Sequence, residues 1–124
     1  MVFGSTKAFS GFAVPDLAAA RVFYGDTLGM SVDESDGLLA LHVPDGRDIV
    51  VYPKPDHSPA NYTILNFPVD DIDRVVDELT ARGVQFQRYE DFDQDEKGIM
   101  RSEGPPIAWF TDPAGNILSV IETR

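Results

Sequence analysis

Few side chains in this chain can do chemistry, and their spacing narrows what that chemistry is. Only two histidines occur. His42 follows Leu39-Ala40-Leu41 and precedes the turn Val43-Pro44-Asp45-Gly46. Folding the chain back at that turn sets His42 opposite Asp48, on the strand face that also carries Ala40 and Val50. A cross-strand His–Asp pair fixes an imidazole tautomer and can act as a general base; it can equally be a polar pair at a pocket rim. His57 lies in the proline-rich stretch Pro53–Asn61 and reads as a surface residue. With no cysteine, disulfides and thiolate metal sites are excluded. Neither a Ser-His-Asp nor a Cys-His motif is visible, and no glycine-rich phosphate loop occurs.

The aromatic residues offer a different chemistry. Ile107 to Glu122 reads IAWFTDPAGNILSVIE, two apolar runs around the turn Asp112-Pro113-Ala114-Gly115-Asn116. Alternating runs about such a turn predict a β-hairpin. Trp109 then pairs across it with Ser119, on one face. Tyr52 shares strand parity with Val50, and Tyr62 with Ile64. These aromatics either line a pocket for a flat or apolar ligand, held by stacking and a few hydroxyls, or fill the core. The densest acidic run, Glu90 to Glu96 (EDFDQDE), reads as a solvated loop. It does not match an EF-hand, which needs Gly at its sixth position and Glu at its twelfth.

The elements that must position these groups come in two similar sets. Val14-Pro15-Asp16-Leu17 and Val69-Asp70-Asp71-Ile72 each open a helical pattern. Asp16 and Asp71 are N-caps. Leu17, Ala20, Tyr24 and Leu28 share one helix face, and Ile72, Val75, Val76 and Leu79 repeat it. Gly29 and Gly83 stand where the helices stop. The spacing predicts helices over 16–28 and 71–82, and hairpin turns at Asp45-Gly46 and Pro113-Gly115. The fold class is α+β: two βαβββ modules, about 5–53 and about 61–124, forming one domain over 1–124.

Taken together, the duplicated Val-x-Asp openings, Phe23-Tyr24, the Leu28-Gly29 helix ending and the Asp112–Asn116 hairpin resemble the glyoxalase / bleomycin-resistance / extradiol-dioxygenase (vicinal oxygen chelate) superfamily. That resemblance implies two curved mixed sheets cupping a pocket, with the helices outside. It also implies a homodimer, formed by packing or by exchange of modules. Metalloenzymes of the superfamily draw ligands from four strand positions, two per repeat. Carried onto this sequence, these are Phe9, Val50, Ile64 and Ser119. None bears an imidazole or a carboxylate, so no metal and no cofactor are expected. The pocket implied is uncharged and aromatic, with Phe9, Tyr52, Tyr62, Trp109 and Ser119 as its ligand-binding residues.

Composition bounds the partners. Ten Lys and Arg stand against 21 Asp and Glu, a net charge of −11. That balance disfavours nucleic acid and anionic membranes, both of which need cations. No apolar run approaches the roughly 20 residues that span a bilayer, and Met1 to Phe9 does not read as a signal peptide. A cytoplasmic location fits these features. Three functions follow: a metal-independent small-molecule binding protein resembling the bleomycin-resistance branch; a lyase, isomerase or dioxygenase-like enzyme using His42 and Asp48 or unusual metal ligands; and a non-catalytic structural or regulatory module.

Overall fold

The computed structural model describes residues 2–123. The chain folds as two compact units that divide between His57 and Ser58, inside the proline-rich stretch. Both mix strands with helices, so the fold is α+β. No helix among the described residues is long and apolar enough to cross a membrane.

The first unit runs β1 (Gly11–Val14), α1 (Leu17–Arg21), a π-helical segment (Val22–Thr27), β2 (Val32–Ser35), β3 (Leu38–Leu41) and β4 (Ile49–Pro53). Its four-stranded sheet has the order β1-β4-β3-β2, with β1 parallel to β4 and the other pairs antiparallel. Asp16 caps α1 by accepting from the Ala19 N–H at 3.1 Å. The single α-helix expected over 16–28 is corrected here: its second half is wound as π-helix, where the Leu28 N–H reaches the Phe23 carbonyl at 2.9 Å. The wider turn rotates the later positions. Tyr24 stays fully buried, while Leu28, expected on the same stripe, is only half-buried. Alternation along β3 and β4 buries Leu39, Leu41, Ile49 and Val51 and leaves Ala40, His42, Val50 and Tyr52 on the more open face.

The second unit runs β5 (Thr63–Val69), α2 (Ile72–Ala81), β6 (Ile107–Thr111) and β7 (Ile117–Glu122). Its sheet order is β5-β7-β6, parallel then antiparallel. Asp71 caps α2 through the Arg74 N–H at 3.1 Å, and the buried Glu122 carboxylate accepts from the Ile72 N–H at 3.1 Å. Gly29 and Gly83 both take positive φ at the helix ends, as C-terminal stops require. The core is Ile72, Val76, Val84, Ile99, Ala108, Phe110, Leu118 and Val120. Each larger apolar side chain buried there contributes about 1.5–3 kcal/mol relative to exposure. The second module's second strand is reduced to one bridge, Phe86 to Phe110. In the chain that follows, the N–H groups of Tyr89, Lys97 and Ile99 go to the side chains of Gln94 and Asp95, while the Met100 N–H returns to the Ile107 carbonyl of β6 at 2.8 Å.

The final hairpin turn is built by one residue. Asp112 is buried; its Oδ1 accepts from the N–H groups of Ala114 and Asn116 at 3.0 and 2.9 Å, and its Oδ2 accepts from the Asn116 amide at 2.9 Å. This turn fixes the register that sets Trp109 opposite Ser119.

Candidate functional site

The second unit carries a cleft of about 690 Å³, lined on one side by Tyr89, Phe92 and Trp109 and on the other by Asn61, Tyr62, Thr63 and Ile117. Trp109 comes from β6, Thr63 from β5 and Ile117 from β7, so the sheet supplies the floor. Tyr89 and Phe92 come from the long segment between α2 and β6. The three rings pack together: Tyr89 meets Trp109 edge-on at 5.6 Å, Phe92 lies tilted on Trp109 at 5.1 Å, and Tyr89 and Phe92 are 5.4 Å apart. These are the separations of favourable aromatic pairs. Tyr62 is 67% exposed and Phe92 43%, so both present ring surface to an incoming molecule.

The lining is not the uncharged one expected: Asn61, Thr63, Arg88, Glu90 and Asp91 stand among the aromatic rings. The Trp109 indole N–H has no partner among the described residues and stands free to donate. Burial pushes the Tyr89 hydroxyl above the usual phenol range, which keeps it neutral and able to donate. Arg88, Glu90 and Asp91 add charge to the lining. The Arg88 guanidinium is engaged, donating to the Glu96 carbonyl at 2.5 Å.

Of the residues singled out from sequence, Tyr62 and Trp109 meet in this cleft. Ser119 does not line it: it is fully buried, and its hydroxyl donates to the Asn66 side-chain oxygen at 2.5 Å. Asn66 is the β5 neighbour of Ser119, and the register of β5 against β7 shifts by one residue between Thr63 and Leu65, around Ile64. Phe9 and Tyr52 belong to the first unit and are 62% and 42% exposed. Tyr89 and Phe92 were not anticipated, because the acidic run around them reads as a solvated loop. The signal available was the pair of aromatics bracketing Glu90 and Asp91.

His42 sits in the first unit, between two carboxylates. Its Nδ1 is 2.9 Å from Asp48 Oδ1, across the turn as expected, and its Nε2 is 2.6 Å from Asp33 Oδ2 on β2. The hydrogen bonds to Asp33 and then Asp48 raise its pKa above 6.5. With both ring nitrogens occupied, the imidazolium is favoured and no lone pair is left for a general base. The arrangement is a hydrogen-bonded strut joining β2, the end of β3 and the start of β4.

The metal of the superfamily's metalloenzymes does not fit the residues present. The positions carried over by resemblance hold, in the first unit, the phenyl of Phe9, which precedes β1, and the isopropyl of Val50. In the second they hold Ile64 and Ser119, whose hydroxyl is already committed to Asn66. Among the described residues no three of His, Asp and Glu form a group that could hold a metal ion.

Comparison with known proteins agrees with this fold. The chain is similar to TnmS3, an antibiotic binding protein from Streptomyces sp. CB03234, at 21% identity over 97% of this chain and 98% of that one, with a TM-score of 0.69. It is similar to a member of the glyoxalase/bleomycin resistance protein/dioxygenase superfamily from Sphaerobacter thermophilus at 22% identity over 94% and 97%, with a TM-score of 0.67. The fosfomycin resistance protein FosX from Listeria monocytogenes is 14% identical over 97% and 94%, with a TM-score of 0.71. No curated protein matches. The family model for the Glyoxalase/Bleomycin resistance protein/Dioxygenase superfamily matches residues 8–120, nearly the whole chain, and the chain belongs to that superfamily.

Proposed function

We propose that this chain is a metal-independent small-molecule binding protein that holds a flat, largely apolar organic ligand in the aromatic cleft of its second unit. The observation that carries the reading is the Tyr89–Phe92–Trp109 ring cluster in the lining of an open cleft. Stacking on such a wall contributes about 0.5–1.5 kcal/mol per ring pair beyond buried area. Sequestration asks for a pocket and no reacting groups. The absence of imidazole and carboxylate at the four positions carried over from the family supports metal independence, and the likeness to TnmS3, an antibiotic binding protein, supports the binding class. His42, the best candidate for acid–base work, is better suited to bracing the first unit's sheet. The protein is proposed to act as a cytoplasmic homodimer.

Titration with coumarin and other flat, uncharged aromatics, followed by the emission of Trp109, tests the reading. This is the chain's only tryptophan, so the signal reports the cleft. Saturable quenching in the wild type that weakens on Tyr62→Ala supports it. No response across the panel, or stoichiometric metal by native mass spectrometry of protein purified without added metal, contradicts it. The same spectra report the dimer.

A further inference from the structure

The segment between α2 and β6 carries the aromatic wall, yet it is rich in carboxylates and poor in apolar residues. Val84 and Ile99 anchor the segment in the core, but Tyr89 and Phe92 lie between these anchors in the acidic stretch. One side-chain amide makes the connections there. Gln94 Oε1 accepts from the Tyr89 backbone N–H at 2.8 Å, and Gln94 Nε2 donates to the carbonyls of Gln87 and Gly98 at 2.9 and 2.8 Å. The Gln87 end is tied to the sheet, because the Gln87 N–H donates to the Trp109 carbonyl at 2.7 Å. The Gln94 backbone also pairs with Met100, whose own backbone pairs with Ile107 on β6. The amide thus stands between the strand that carries Trp109 and the turn that carries Tyr89 and Phe92.

We infer that Gln94 is a positioning residue for the ligand cleft: its carboxamide holds the Tyr89–Phe92 turn so that both rings stay on Trp109. The inference rests on the cleft being a binding site. The chemistry demands a carboxamide, which accepts one hydrogen bond and donates two. A carboxylate at this position would still accept from Tyr89, but it would face two carbonyl oxygens with no proton to share. In EDFDQDE, Gln94 is the one residue able to meet all three demands. The ionic ties of the same segment are separate. Lys97 reaches Asp77 at 3.0 Å and Asp73 at 3.4 Å, and Arg101 reaches Asp73 at 2.8 Å and Asp95 at 3.3 Å. The pairs with Asp73 and Asp77 fasten the segment to α2, and the Arg101–Asp95 pair lies within the segment; all are exposed enough for salt to screen them.

The test uses the full chain and two readouts: acrylamide quenching of Trp109 without ligand, and coumarin affinity. Gln94→Ala is expected to raise the quenching constant by about twofold and to weaken coumarin binding roughly fivefold, with little change in thermal midpoint. Arg101→Gln is expected to leave both readouts near wild type. Gln94→Glu reproduces the Gln94→Ala effect in a variant of nearly native shape, which covers a failure of the alanine variant to fold. Unchanged quenching in Gln94→Glu, or an equal rise in Arg101→Gln, overturns the inference. Failure of wild-type protein to bind any flat aromatic defeats the functional reading instead, and is told apart because quenching needs no ligand.

Discussion

The two units repeat one plan and diverge in how they spend the chain after the helix. In each, the first strand runs parallel to the last, with Gly11 opposite Val50 in one and Asn66 opposite Ser119 in the other. The first unit then returns through a short hairpin whose turn residues, Asp36 and Gly37, take φ of 55° and 75°. That hairpin closes a four-stranded sheet. The second unit takes the far longer path from Gly83 to Ile107, pairs it only through isolated bridges at Phe86, Gln94 and Met100 among the described residues, and raises Tyr89 and Phe92 beside Trp109. Backbone donors that one unit gives to a neighbouring strand, the other gives to Gln94 and Asp95 side chains. A duplicated scaffold gains a cleft when side-chain acceptors replace a strand partner.

Substitutions on either side of this contrast should differ in size. Phe110→Ala, in the fully buried core of the second unit, is expected to cost about 3–5 kcal/mol in urea unfolding. Tyr52→Ala, on the open face of the first, should stay within about 1 kcal/mol. Equal costs would mean that Tyr52 is core and the contrast between the faces is wrong. The turns come next. Asp112→Ala removes three side-chain hydrogen bonds from a buried site and should cost about 2–4 kcal/mol. In the first unit's turn the Gly46 N–H donates to the Val43 carbonyl at 3.1 Å and Asp45 sits at φ 59°, its side chain making no hydrogen bond within the turn among the described residues, so Asp45→Gly should change stability by no more than about 0.5 kcal/mol.

Binding sharpens the comparison further. Trp109→Ala should weaken coumarin binding roughly tenfold or more by calorimetry, since both stacking and buried area are lost. Phe9→Ala and Tyr52→Ala should leave it within about twofold. A large loss in either would bring the first unit into the site.

The smallest effect belongs to the His42 strut. A folded-state pKa raised above 6.5 means that its stabilisation is whole below pH 6.5 and is lost as pH rises through the folded value. The difference in urea midpoint between wild type and His42→Gln should therefore shrink between pH 6 and pH 9. Asp33→Asn should lower the pKa seen by NMR more than Asp48→Asn, because the Asp33 bond is the shorter and the stronger influence.

Local signals were the legible ones. Asp16 and Asp71 cap their helices, Gly29 and Gly83 end them, and the Asp112 turn places Trp109 opposite Ser119. His42 and Asp48 met because a short turn fixes their register. Asp33 was missed because β2 reads VDES, with no apolar alternation to mark a strand, although Asp36-Gly37 offered a turn signal beside it. Tyr89 and Phe92 were hidden for a different reason. Their placement depends on Gln94 reaching across the loop, and a side chain's long-range hydrogen bonds leave no periodicity in the sequence. The shift at Ile64 was equally silent, since a bulge is set by the neighbouring strand.

The location of the ligand is best tested by following backbone amide signals by NMR while coumarin is added. Shifts concentrated at Asn61–Thr63, Arg88–Phe92, Trp109 and Ile117 are expected, with the first unit's β3 and β4 unmoved. Shifts centred instead on Val50 and Tyr52 would place the binding face in the wrong unit.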